Sequence, residues 1–225
     1  MQTKKEIKYL NYIALSFFIV AVALLFIVPH HNDCYYFWRW GSDLLDFGTT
    51  KFYSHAYGTA NEYPPLTILI CGLFSWFARV VHANEYFTYI IVRLPQVFFV
   101  LASIYVFFKL VSNYTSLKNS LILSAIFAFA PAIMITIMWG QADCFTLFFV
   151  LAALLCFVKN KQFLTILMCA LGMLVKLQFI FVLPIFALAL LVRAIKEKSV
   201  KGGETLMLLS CQFSNLFVNI SAIFN

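Results

Sequence analysis

Charge is what this chain has least of. Asp, Glu, Lys and Arg make up 11% of its 225 residues and hydrophobic residues 63%, against about 25% charged in an average protein. With a mean hydropathy of +0.91, an ordinary water-soluble domain is excluded. Apolar runs of about twenty residues recur instead, long enough to cross a bilayer, whose interior admits only helices and closed barrels. The fold class expected is all-α, a polytopic transmembrane bundle forming one integral membrane domain over residues 1–225.

Other scarcities narrow the function. There are only 8 glycines, and no Gly-rich phosphate loop, HExxH pair or nucleophile elbow occurs. The cysteines at 34, 71, 144, 156, 169 and 211 show no CxxC or Cys/His metal spacing. Most lie in apolar runs, where Cys packs as a small hydrophobe; an outer-side bridge between Cys34 and Cys144 stays open. No small-residue cleavage site follows the first apolar run (Val28-Pro29-His30), so that run reads as an uncleaved membrane helix. The formal charge of +7 sits in short basic clusters between apolar runs. That is the pattern of loops facing an inner leaflet, so membrane lipids are expected partners and nucleic acid is not.

Acids are rarer than bases, and five of the 9 cluster: Asp33, Asp43, Asp46, Glu62 and Glu85 lie in or just beyond the polar island His30–Pro65. Aromatics interleave them at Tyr35, Tyr36, Phe37, Trp38 and Trp40. Apolar stretches cover 9–28, 64–81, 87–108, 119–138, 143–158, 162–176, 178–195 and 205–222. If all crossed, with the N-terminus inside, Lys109, Lys118, Lys159, Lys161, Arg193, Lys196, Lys198 and Lys201 would face outside, against the preference of basic residues for the cytoplasmic side. If 64–81 lies on the outer face instead, all eight move inside and join Lys4, Lys5 and Lys8. The reading is therefore about seven spans with a cytoplasmic N-terminus. A long outer first loop, about residues 29–87, carries surface-lying helices, the one at 64–81 started by Pro64-Pro65. The short runs flanking Lys176-Leu177-Gln178 imply a turn recessed below the outer surface, and Pro131 and Pro184 are expected to break their helices.

Within this layout Asp33, just outside the first span, suits a general base on an acceptor hydroxyl; the alternative is a solvated or helix-capping acid. Asp43 and Asp46 read as surface positions. Trp139-Gly140-Gln141-Ala142-Asp143 combines an indole with an amide and a carboxylate, as sugar sites do; Asp143 alone reads equally as a helix-start acid. Arg93 and Lys176 are cations in or near apolar runs on the outer half, where they either snorkel or grip an anion such as a phosphate. Gln178 can add a hydrogen bond there. A lone Asp33 with no DxD neighbour defines no metal site: no cofactor is expected, and a divalent cation stays open.

These pieces, in this order, resemble the GT-C superfamily of membrane glycosyltransferases, which use polyprenyl-phosphate-linked sugars. Asp33 stands where that superfamily keeps its catalytic acid. Glu62-Tyr63-Pro64-Pro65-Leu66-Thr67 is similar to the YPPLT signature of the endoplasmic-reticulum glucosyltransferases that extend the lipid-linked oligosaccharide. Trp139-Gly140-Gln141-x-Asp143 and Lys176-x-Gln178 resemble the WGQxD and KPQ patterns of bacterial relatives of the GPI mannosyltransferases, with Leu177 in place of the Pro. The resemblance implies a hexosyltransferase of mannose or glucose type working on an outer or lumenal face. Asp33 would be its general base, and Arg93, Lys176 and Gln178 would hold the donor phosphate. Tyr63, Trp139, Gln141 and Asp143 would line the sugar or acceptor site. It also implies a lipid-linked sugar donor as partner, and a bacterial cell membrane, or alternatively the endoplasmic reticulum, as location. Members usually carry further spans, so a truncated module is expected. The rivals are a non-catalytic transporter or flippase fragment for a lipid-linked sugar and an inactive remnant of the enzyme.

Overall fold

The computed structural model describes residues 4–27, 32–56 and 63–197. His30, His31, Asn61, Glu62, Cys211 and the apolar run 205–222 lie outside the described residues. Every regular element among the described residues is helical. In order these are α1 (Lys4–Ile27), α2 (Asn32–His55), α3 (Pro65–Val80), α4 (Glu85–Val111), α5 (Leu117–Ala128), α6 (Pro131–Trp139), α7 (Asp143–Val158) and α8 (Gln162–Met173). A 3-10 turn (Leu177–Phe181) and α9 (Leu183–Glu197) follow.

Four stretches are long and apolar enough to cross a membrane: Ile7–Ile27, Glu85–Val111, Leu117–Trp139 and Leu177–Ile195. Pro131 interrupts the third of these by occupying the first turn of α6, where its missing N–H costs nothing. Pro184 does the same near the start of α9. Helices α3, α7 and α8 are apolar but shorter, with 16, 16 and 12 residues. At 1.5 Å per residue, α3 spans roughly 24 Å, short of the ~30 Å hydrocarbon core.

Helix α4 is the central post. It packs on α1, α3, α5 and α7, and Val97, Val100, Ile104 and Phe108 face the core almost fully covered. The polar island is no open loop: Asn32 onward forms α2, kinked at Gly48, whose φ of 72° is left-handed. Past the kink the chain returns toward the start of α3, where the Tyr53 hydroxyl donates to the Tyr63 carbonyl at 3.2 Å. Helices α2 and α3 approach closely because Gly41 has no side chain; a Cβ there would strike Ser75 and the Cys71 carbonyl. Arg79 locks the far end of the pair, donating to both Asp46 oxygens at 2.8 and 3.1 Å and to the Ser42 carbonyl at 3.3 Å. That guanidinium holds the Asp46 carboxyl below the usual carboxylate range.

One sequence expectation is corrected and one open alternative closed. Asp43 is not a surface position: it is 2% exposed, with its carboxylate 3.2 Å from Arg39 Nε one helical turn away. The open bridge between Cys34 and Cys144 is absent, since both are buried free thiols.

Candidate active site

A cavity of about 200 Å³ opens where α2, the start of α3, the α6–α7 turn and the α8 end meet. Asp33, Tyr36, Phe37 and Trp40 of α2 form one wall; Tyr63, Gln141, Asp143 and Lys176 form the other. The wall from α2 follows from helical geometry, since positions i, i+3, i+4 and i+7 share one face.

Each polar group arrives on a separately braced segment. Gly140 closes α6 with φ 77°, a left-handed cap that favours glycine. A Cβ there would also press on Cys34 at 3.0 Å and on Arg93 at 3.3 Å. The turn is held from α4, where Gln96 Nε2 donates to the Gly140 carbonyl and Arg93 to the Met138 carbonyl, both at 3.0 Å. So fixed, Gln141 Nε2 donates to Asp33 Oδ2 at 3.0 Å and orients that carboxylate. Asp143, two residues on in the first turn of α7, meets Lys176 Nζ at 2.8 Å. The Lys176 side chain is 15% exposed and that of Asp143 52%, so the ammonium lies mostly inside the wall with its partner at the mouth.

The Tyr63-Pro64-Pro65-Leu66-Thr67 stretch places Lys176. Pro64 and Pro65 start α3, and the next residues cap the end of α8. Leu66 N–H donates to the Leu174 carbonyl at 2.9 Å, and Thr67 Oγ1 to the Val175 carbonyl at 2.6 Å. An N–H orphaned at one helix start, together with the hydroxyl beside it, thereby satisfies carbonyls left open past another helix end. Thr67 is fully buried, so Thr67→Val leaves the Val175 carbonyl unmet, at about 1–3 kcal/mol for a buried orphan. The expected result is a lower melting temperature, read by thermal denaturation in detergent.

Of the residues singled out from the sequence, the structure therefore brings together Asp33, Tyr63, Gln141, Asp143 and Lys176. It does not bring in Arg93, Trp139 or Gln178. Arg93 is 2% exposed and spends its donors on main-chain carbonyls: Tyr89, Met138 and Leu25, each at 3.0 Å. The last two carbonyls close the final turns of α6 and α1, the negative ends of those helices, so the guanidinium is a tie-beam under the cavity. Trp139 stands 42% exposed at the end of α6, and Gln178 is exposed in the 3-10 turn.

The sequence reading missed Gln96, gave Thr67 no role beyond its place in the signature, although both hold the turns, and did not assign Tyr36, Phe37 and Trp40. Their spacing from Asp33 was the available signal. Among the described residues no three His, Cys, Asp or Glu side chains gather as a metal site.

Residues 61–198 match the model of Glycosyltransferase family 87. The chain belongs to that family. No curated protein and no solved structure matches it. As a family 87 member with helices of this length and apolarity, it is an integral membrane glycosyltransferase. The matched segment includes Tyr63, Gln141, Asp143 and Lys176. Asp33 lies ahead of it and joins the site through α2.

Proposed function

We propose that the protein transfers a hexose, of mannose or glucose type, from a polyprenyl-phosphate carrier to an acceptor hydroxyl on the outer or lumenal face of its membrane. The observation that carries this reading is the meeting, in one cavity of a family 87 chain, of a carboxylate held by an amide and a cation held by a second carboxylate.

In this mechanism Asp33 accepts the proton of the acceptor hydroxyl as its oxygen attacks the anomeric carbon. The new C–O bond forms as the bond from that carbon to the phosphate oxygen breaks, in one displacement that inverts the anomeric centre. Gln141 keeps the carboxylate aimed. The departing phosphate gains charge, and Lys176 meets it; a cation placed where charge develops counts for most in a cavity that excludes water. Asp143 holds the ammonium in place until the phosphate competes for it. At about 200 Å³, against ~300–1,000 Å³ for sites that swallow a whole drug-sized ligand, the cavity admits the reacting end only, and the prenyl chain stays in lipid.

The outer-face orientation rests on the basic-residue pattern and on α3. That helix turns Leu69, Leu73, Trp76, Phe77 and Val80 outward while covering Thr67, Cys71 and Ser75, as a helix does when it lies in the membrane interface.

The test is transfer of labelled hexose from a polyprenyl-phosphate hexose by membranes carrying the full chain. Wild type is expected to transfer. Lys176→Gln is expected to raise donor KM and lower kcat, together about 10–100-fold in kcat/KM, by the loss of one charge-assisted contact. No transfer by wild type with any mannose- or glucose-type donor would overturn the reading.

A further inference from the structure

A second and larger cavity, about 680 Å³, lies between α2, α3 and the start of α4. It uses the opposite face of α2: Trp38, Arg39, Ser42 and Asp46 line it, against Asp33, Tyr36, Phe37 and Trp40 at the active site. Nothing in the transfer mechanism calls for it.

We propose that this cavity is a saccharide-binding subsite for the glycan of the acceptor, which extends from it over a track of aromatic rings to Asp33. The proposal rests on the reading of Asp33 as the point where an acceptor hydroxyl reacts.

Charge balance selects the ligand class. The cations lining the cavity are engaged by acids: Arg79 by both oxygens of Asp46, at 2.8 and 3.1 Å, and Arg39 by Asp43 at 3.2 Å. Glu85 adds a further carboxylate to the lining. An anion such as phosphate would have to break these pairs and would face Glu85 as well. Neutral hydroxyls need not, because each both donates and accepts. The pairs hold planar donors and acceptors still, and the hydroxyls of Ser42, Ser75 and Thr88 lie among them. Trp38 supplies ring surface in the same wall, with Tyr89 packed behind it.

The second observation is the track. Ring centroids step from Tyr89 to Trp38 at 6.0 Å, from Trp38 to Tyr35 at 5.7 Å and from Tyr35 to Tyr36 at 6.0 Å. They continue from Tyr36 to Trp40 at 5.8 Å and from Trp40 to Tyr63 at 4.7 Å. This unbroken line runs around the first turns of α2 from the rim of one cavity into the other. Trp40 and Tyr89 are buried and back the line, while Tyr35, Tyr36, Trp38 and Tyr63 are each partly exposed, offering apolar faces to the C–H faces of pyranose rings.

The experiment measures binding without catalysis, using the full chain in lipid nanodiscs titrated with methyl α-mannoside, methyl α-glucoside, α-linked mannotriose and maltotriose. In wild type a trisaccharide is expected to bind at least about tenfold more tightly than the methyl glycoside of the same sugar, because only the longer chain reaches the second cavity. Ala83→Trp fills the cavity from a connecting segment outside the reaction site and is expected to abolish that advantage while leaving binding of the polyprenyl-phosphate donor unchanged. Trp38→Leu, which removes the ring joining cavity to track, is expected to do the same and serves if the first variant fails to fold. Equal affinity for short and long saccharides in wild type, or an advantage that survives a folded variant, would overturn the proposal. Transfer that persists in either case leaves the proposed function standing, so the two readings fail separately.

Discussion

Replacing Asp33 by asparagine is expected to lower kcat by about 10²–10⁴-fold, the usual contribution of a positioned general base, with little change in donor KM. The substitution keeps the shape of the side chain, and its amide oxygen can still accept the 3.0 Å hydrogen bond from Gln141. What it removes is basicity. A fall in kcat with an unchanged melting temperature and unchanged donor binding therefore isolates proton transfer from folding and from recognition. Gln141→Ala, which leaves the carboxylate but frees its orientation, should cost less. Transfer by the Asn variant at the wild-type rate would remove Asp33 from the mechanism.

The largest effect on stability is expected at Arg93. Its guanidinium donates to carbonyls on α4, α6 and α1, each at 3.0 Å, and is 2% exposed. Arg93→Met keeps much of the bulk and removes all three bonds, leaving helix-end carbonyls buried without a donor. At roughly 1–3 kcal/mol per orphan, the loss is on the order of 3–5 kcal/mol, a large share of the ~5–15 kcal/mol that holds most domains folded. Arg93→Lys should recover only part of this, because one ammonium cannot reproduce the planar fork that reaches three helices. Transfer should fall as well, although Arg93 does not line the cavity, because the Gly140 turn that carries Gln141 rests on it. Thermal denaturation in detergent measures the first effect. If Arg93→Met melts like wild type, the tie-beam role is wrong.

The same residue shows how far the sequence could be read. From the sequence, a cation in an apolar run either snorkels to the interface or grips an anion. Neither reading reached helix-end carbonyls as its partners, because the ends of α1 and α6 lie 68 and 45 positions from Arg93 and meet it only in the fold. Asp43 misled for a similar reason: in a polar stretch an acid looks solvated, and only the packing of α2 buries it. The long apolar helices were legible because twenty apolar residues have few other fates. The Pro64-Pro65 helix start was legible because proline fits a first turn. Asp33, Gln141, Asp143 and Lys176 were legible as chemical types at suggestive spacings, but their pairing was not. Asp33 with Gln141 and Asp143 with Lys176 are contacts across 108 and 33 positions, made by turns whose braces, Gln96 and Thr67, look like ordinary polar residues in apolar helices.

The proposed transfer requires one cavity, facing out of the membrane, to bind the lipid-linked donor. The most direct measurement places a reporter thiol in it: Tyr36→Cys, labelled in intact cells with a membrane-impermeant maleimide, with and without added polyprenyl-phosphate hexose. Lys118→Cys, in the segment assigned to the inner face, and the wild-type chain serve as controls. Cys at 36 is expected to label from outside and to be protected by the donor, while Cys at 118 is expected to label only after the membrane is opened. Labelling of position 36 only from inside, or outside labelling that the donor leaves untouched, would contradict the proposed transfer.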